Sequence, residues 1–242
     1  MYLHVNNILW LAIFFILGAI FGSFFNVCIY RIPRKRSIIS PRSYCPMCGH
    51  TIPWYDNIPI ISYIILRGKC RFCGATIPVR YLIVELLTAC MFSSCFYIFG
   101  IGLKLLITLI LLSFLLVTAF IDIEMGIIPN IIVLPGIAIG VILNTVQGKI
   151  VNSLLGLLTG GITVYILSVI GKILFKKDAI GGGDMKLLAM IGAYIGWYLT
   201  LWTLFLASLI GLIYAIFSRK RKLMFAPFLA IATFILLVLR HP

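Results

Sequence analysis

The chain carries only six acidic residues: Asp56, Glu85, Asp122, Glu124, Asp178 and Asp184. Two of them stand where chemistry is possible. Asp122 closes the apolar run in "AFIDIEMGIIPN", and Asp184 follows three glycines in "AIGGGDMKLL". Two carboxylates in one site do not ionise together, so a single proton is shared. The ionised member then takes a proton from water, and the protonated member donates to a carbonyl oxygen. Such a pair cuts amides without a serine, cysteine or metal nucleophile. Glu124 lies two residues beyond Asp122, about 200° around a helix, so the two cannot face one pocket if the helix continues. Asp122 extends the apolar face, and Glu124 is expected to meet water or basic loops.

The glycines before Asp184 fit the same chemistry. Gly181, Gly182 and Gly183 lack Cβ atoms and let a substrate backbone or another helix come close. They can also hold a half-extended segment along which a peptide strand hydrogen-bonds. Lys186 can tune Asp184, or snorkel to anchor the membrane interface. Residue chemistry alone leaves other roles open. Asp184 can cap the helix that follows. Glycine-broken helices with an acid also suit a proton- or ion-coupled transporter.

A second constellation lies earlier. "CPMCGH" and "CRFCGA" give two C-x-x-C pairs, Cys45 and Cys48, then Cys70 and Cys73. Four thiolates on two such knuckles suit tetrahedral zinc, and Gly49 and Gly74 ease the turn around a metal. Disulfides are the alternative, and a reducing compartment disfavours them. His50 can stand in for one thiolate or lie at the surface. Cys28, Cys90 and Cys95 fall in apolar runs and read as small buried hydrophobes.

The elements that position these groups must be membrane helices. The 242 residues are 62% hydrophobic and 11% charged, too apolar for a water-soluble core. Eight apolar segments approach the roughly 20 residues a span needs: about 8–30, 82–99, 104–121, 127–147, 150–171, 185–200, 201–217 and 223–239. The first reads as a span and not a removed leader. The net charge of +14 does not point to nucleic acid, because the bases sit in short loops between spans. Seventeen of the 20 lysines and arginines fall in three loops: Arg31–Arg80, 172–186 and Arg219–Lys222. Eight spans put all three loops on one side, and the positive-inside rule makes that side cytoplasmic. Asp122 and Asp184 then reach the same leaflet. The expected architecture is an all-α polytopic membrane protein of about eight transmembrane helices with a small zinc-ribbon-like loop.

Taken together, these segments resemble the type IV prepilin peptidase family, bifunctional leader peptidases and N-methyltransferases with a G-x-G-D aspartic site. "GSFFNVCIYRIP" (Gly22–Pro33) is similar to the family's amino-terminal signature, and Cys45–Glu85 to its paired-cysteine loop. "IDIEMGIIPN" and "GGGDMK" are similar to its two catalytic segments. The resemblance implies an organisation of residues 1–30 as the first transmembrane helix, 31–80 as the zinc and methyltransferase-associated loop, and 81–242 as the peptidase core. It carries catalysis onto Asp122 and Asp184, with Gly181, Gly182, Gly183 and Lys186 in support, and zinc onto Cys45, Cys48, Cys70 and Cys73. Expected substrates are type IV prepilins or pseudopilins, cut at the cytoplasmic face of the bacterial inner membrane. The new amino terminus is then methylated from S-adenosylmethionine. Many members have an acid where this chain has Asn130, a position expected to be dispensable here. No dinucleotide-type glycine motif locates the methyl donor, and the region of Asn26 and Trp54 is the place to look. Glu85 can pair with Arg80 or offer the basic leader a local contact. The rival readings are a transporter with a broken-helix Gly-Asp site and a zinc-bearing scaffold without catalysis.

Overall fold

The structure, a computed structural model, describes residues 2–175, 181–218 and 223–240, with side chains described from residue 7 to 174 in the first of these stretches. Asp178 and the whole basic loop Arg219–Lys222 therefore lie outside the described residues, as do Lys176 and Lys177. Among the described residues every regular element is helical, apart from isolated bridges. Five helices are long and apolar enough to cross a membrane: Asn7–Arg31 within α1 (Tyr2–Arg31), α3 (Arg80–Phe99), α4 (Leu103–Met125), Ile150–Leu174 within α6 (Ile150–Phe175) and α8 (Trp197–Ser218). Shorter apolar helices are α5 (Asn130–Val146) and α9 (Ala226–Leu239). The remaining two are α2 (Ile61–Ile65) and α7 (Gly182–Ile195).

The chain divides into two units, Met1–Leu105 and Leu106–Pro242. In the first, α1 and α3 pack closely because Gly18 and Gly22 leave no side chain between them. A Cβ on Gly22 would lie 2.7 Å from the Glu85 Cα, and one on Gly18 2.7 Å from the Ala89 Cα. In lipid there is little hydrophobic drive between helices, so such close approach supplies the packing energy. Asn26 adds a polar tie, donating through Nδ2 to the Tyr81 carbonyl at 3.0 Å.

The second unit is built around α7. Every residue from Leu187 to Ile195 is buried, and α7 packs on α5, α6 and α8. Gly160 admits the α7 backbone, for a Cβ there would lie 2.5 Å from the Leu188 carbonyl oxygen, and Gly156 meets Gly192 backbone to backbone. The carbonyls at the carboxyl end of α7 would be orphaned in so apolar a place. Asn144 of α5 donates to Ala193 O at 2.8 Å, and Ser153 of α6 donates to the same oxygen at 2.7 Å.

The expected division of 185–200 from 201–217 is corrected. The chain breaks at Gly196, whose φ of 81° only glycine adopts readily, and α8 begins at Trp197. At 14 residues, α7 is about 21 Å long, short of the roughly 30 Å hydrocarbon core.

Candidate functional site

The peptidase-like residues gather in the second unit. Asp122 lies in the last turns of α4, only 6% exposed. Helix α4 ends on Gly126, which has a φ of 65° and donates its N–H to the Asp122 carbonyl at 2.8 Å. That left-handed glycine is the usual helix stop, and it turns the chain back toward α5. Asp184 stands in the first turn of α7, with Gly181 as N-cap. Its N–H donates to the Gly181 carbonyl at 3.1 Å, and its carboxylate accepts from the Gly181 backbone. This is the backward half of a capping box. Asp184 is thus not the N-cap residue itself, although it helps close that end of the helix.

Asp122 and Asp184 belong to the same unit, at the end of α4 and the start of α7, within the range over which their charges interact. The connection from α4 to α5 makes this possible. A Cβ on Gly183 would lie 2.9 Å from that of Ile128, so the Gly126–Pro129 loop seats on the bare backbone before Asp184. Lys186 fastens the same junction, donating to Asn130 Oδ1 at 3.0 Å. Asn130, expected to be dispensable, therefore ties α5 to α7. Glu124 is exposed, as the helical angle required. Of the three glycines, Gly183 has a neighbour within touching range, a Cβ on Gly181 would lie 3.5 Å from Asp184 Oδ2, and Gly182 faces open space.

One partner was invisible in the sequence. The N–H of Ala226, the first residue of α9, donates to Asp122 Oδ2 at 3.2 Å. A backbone donor carries no residue signature, and nothing in "MFAPFLA" announces it. Pro227 was a hint only that a helix begins there.

The four cysteines converge in the first unit. The Sγ atoms of Cys45, Cys48, Cys70 and Cys73 all lie within 4.8 Å of one another. Both knuckles have one design. Gly49 and Gly74, each with a φ of 70°, donate to the carbonyls of Cys45 and Cys70 at 2.9 Å. Zn–S bonds of about 2.3 Å in a tetrahedron set sulfurs roughly 3.8 Å apart, and Cys45 and Cys73 stand 3.8 Å apart. A disulfide needs about 2.0 Å, and all seven cysteines are free thiols. The Cys48 N–H, helped by that of Met47, pulls the Cys45 thiol down to about 7 against desolvation. The donor set fits a thiolate-bound metal. His50 is exposed and stacks on Phe72 with centroids 3.6 Å apart.

Glu85 accepts the Ile60 N–H at 2.8 Å, and the Arg80 guanidinium lies over the Tyr81 ring at 4.8 Å. Cys28 and Cys95 are buried, but Cys90 is exposed on the surface of α3, not tucked into a core. A pair that sequence reasoning missed braces the cysteine loop: Arg71 grips Asp56 through Nε at 2.8 Å and Nη2 at 2.6 Å.

Comparisons with known proteins converge on one family. Residues 16–99 match the bacterial peptidase A24 N-terminal domain, and residues 109–216 match the type IV leader peptidase family. The chain is 41% identical over 204 residues to the prepilin leader peptidase/N-methyltransferase of Myxococcus xanthus, covering 84% of this chain and 61% of that one. It thus spans less than two thirds of that relative's length. It is 37% identical to the like-named protein of Klebsiella pneumoniae, covering 83% of this chain and 91% of that one. For the like-named protein of Bacillus subtilis the identity is 35%, covering 91% and 90%. No solved structure matches the chain. Both halves match in the expected order and relatives above 30% identity are covered over more than two thirds of their length, so the chain belongs to the type IV leader peptidase family.

Proposed function

We propose that this protein removes the short basic leader from type IV prepilins or pseudopilins and then N-methylates the exposed residue. The observation that carries the peptidase half is that Asp122 and Asp184, from separate helices of one unit, lie within range of each other's charge, Asp122 almost fully buried. In such a pair one carboxylate takes a proton from water as the water oxygen bonds to the scissile carbonyl carbon. The partner gives its proton to the carbonyl oxygen. Collapse of the tetrahedral centre breaks the C–N bond; the leaving nitrogen takes the proton from the acid that had accepted it, and the other carboxylate takes back a proton from the diol hydroxyl, which restores the pair. Gly182, exposed before Asp184 with open space around it, offers access for the substrate strand, Gly181 shapes the turn that holds Asp184, and Lys186 and Gly183 hold the site's geometry.

The reading places eight helices, α1 and α3 to α9, in the bacterial inner membrane, with the active site and cysteine loop on the cytoplasmic side. Support comes from the asymmetry of lysine and arginine. Zinc is the metal best suited to Cys45, Cys48, Cys70 and Cys73, where it would brace the loop. S-adenosylmethionine is proposed as methyl donor from the family alone. The described residues define no cradle for it: Asn26 spends its Nδ2 on Tyr81, although its Oδ1 is buried without a partner.

The test is direct. Purified protein is mixed with a synthetic prepilin, and product mass is followed with and without S-adenosylmethionine. Loss of the leader, then a gain of one methyl group, is expected. An unchanged substrate mass defeats the peptidase reading.

A further inference from the structure

Helix α2 has no place in the peptidase or in the metal knuckles, yet its position is tightly set. Its start is hung on a membrane helix. The Ile60 N–H reaches Glu85 Oε2 at 2.8 Å, and Ile60 holds a φ of 64°, costly for a β-branched residue, at that point. Glu85 is the sixth residue of α3, so it lies about 7.5 Å along the helix from Arg80. On the other side the Glu85 Cα faces Gly22, nine residues before the end of α1 at Arg31. Helix α2 is therefore tied through the Glu85 carboxylate to the start of α3, the span that follows the cysteine loop. A segment tied so near the end of a span is placed to meet the headgroup region.

Its side chains agree. Ser62 is buried, accepting from the Ile58 N–H at 3.1 Å and donating to the Tyr55 carbonyl at 2.9 Å. Tyr63 turns its hydroxyl to the Ile77 carbonyl at 3.3 Å. The other face shows Ile61, Ile64 and Ile65, which are 53%, 63% and 68% exposed. Beside it Trp54 is 80% exposed and packs edge-on against Tyr55. Exposed Arg67 and Lys69 follow directly. Apolar face, interfacial aromatic pair and adjacent bases are the composition of a segment lying in the membrane plane.

We propose that α2, with Trp54 and Tyr55, is an interfacial anchor that seats the cysteine loop on an anionic bilayer surface. The three isoleucines enter the acyl boundary, the indole sits among headgroups, and Arg67 and Lys69 meet lipid phosphates. This anchor does not depend on the peptidase reading.

The full chain tests it, with Trp10, Trp197 and Trp202 changed to phenylalanine so that Trp54 is the sole tryptophan. It is reconstituted into phosphatidylcholine–phosphatidylglycerol vesicles whose lipids are brominated near the headgroup or deep in the chain. Shallow bromines should remove at least half of the Trp54 emission, and deep bromines much less. A second arm leaves the chain otherwise unaltered and places a benzophenone amino acid at position 64, where irradiation should yield protein–lipid adducts. Water-like emission without quenching overturns the proposal. So do adducts confined to residues 106–242, or adducts that form only with added prepilin, which would mark a substrate-docking face.

Discussion

Asp122 and Asp184 are held by different means, and each hold can be tested separately. Asp122 is fixed by a backbone donor from α9, and Asp184 by the glycine turn before it. Asparagine keeps the size of each side chain and its acceptor but cannot exchange the catalytic proton. Asp122→Asn and Asp184→Asn should each lower leader cleavage by about a thousandfold or more while the protein stays folded. Mass spectrometry of the prepilin, beside a thermal melt of the same sample, checks both halves of that expectation. Normal processing by either variant rules out the pair. Lys186 makes a subtler case. Lys186→Met removes its bond to Asn130 and should slow turnover more than it weakens substrate binding, because the bond positions α5 against α7 and leaves the exposed glycines alone. Asn130→Asp, which restores an acceptor with a charge, should keep near-normal activity with lysine present. If Lys186→Met changes only KM, the residue touches substrate instead.

At the scale of elements, helix crossings depend on individual glycines, and their neighbourhoods differ sharply. Gly183→Ala pushes a methyl group against Ile128, and Gly182→Ala meets nothing within 4 Å. The first should cut cleavage sharply by displacing the loop that carries the chain from Asp122 to Asn130. The second should be nearly silent. Equal losses from both would mean that the glycines serve substrate access and not packing. Gly156→Ala, forced against the Gly192 backbone, should destabilise the second unit by about 1–3 kcal/mol, read as a lower melting temperature than Gly102→Ala, which has free space around it.

The same comparison shows why some of this was legible in the residues and some was not. Acids are so scarce that Asp122 and Asp184 stood out, and a doubled C-x-x-C has few other uses. The break between α7 and α8 was hidden because "MIGAYIGWYL" is apolar throughout, and only backbone conformation separates Gly196 from a packing glycine such as Gly192. Asn130 looked idle because its partner lies 56 residues away. The Ala226 contact is a backbone donor, and Ile60's tie to Glu85 is another. Such contacts leave no pattern in residue types.

For the whole molecule, the division of labour follows the division of the chain. All four candidate metal ligands belong to the unit Met1–Leu105, and both acids belong to the unit Leu106–Pro242. Each acid finds its positioning contacts within its own unit, in Ala226 and Gly181. The knuckles bury little of their own: Met47 and Phe72 are 79% and 52% exposed, and one brace is the Asp56–Arg71 pair, whose side chains are 6% and 47% exposed. On the zinc reading, thiolate coordination would supply the rest of the loop's order. Stripping zinc with a chelator should therefore open the loop to protease between Arg36 and Arg71 and abolish methylation. Leader cleavage should remain within about twofold of its starting rate, because neither acid nor its partners are disturbed. Cys48→Ser should act in the same way without chelator, and readdition of zinc should rescue the stripped wild type but not this variant. Parallel loss of cleavage and methylation would show instead that the metal loop is required to build the peptidase site, and the two activities would have to be treated as one.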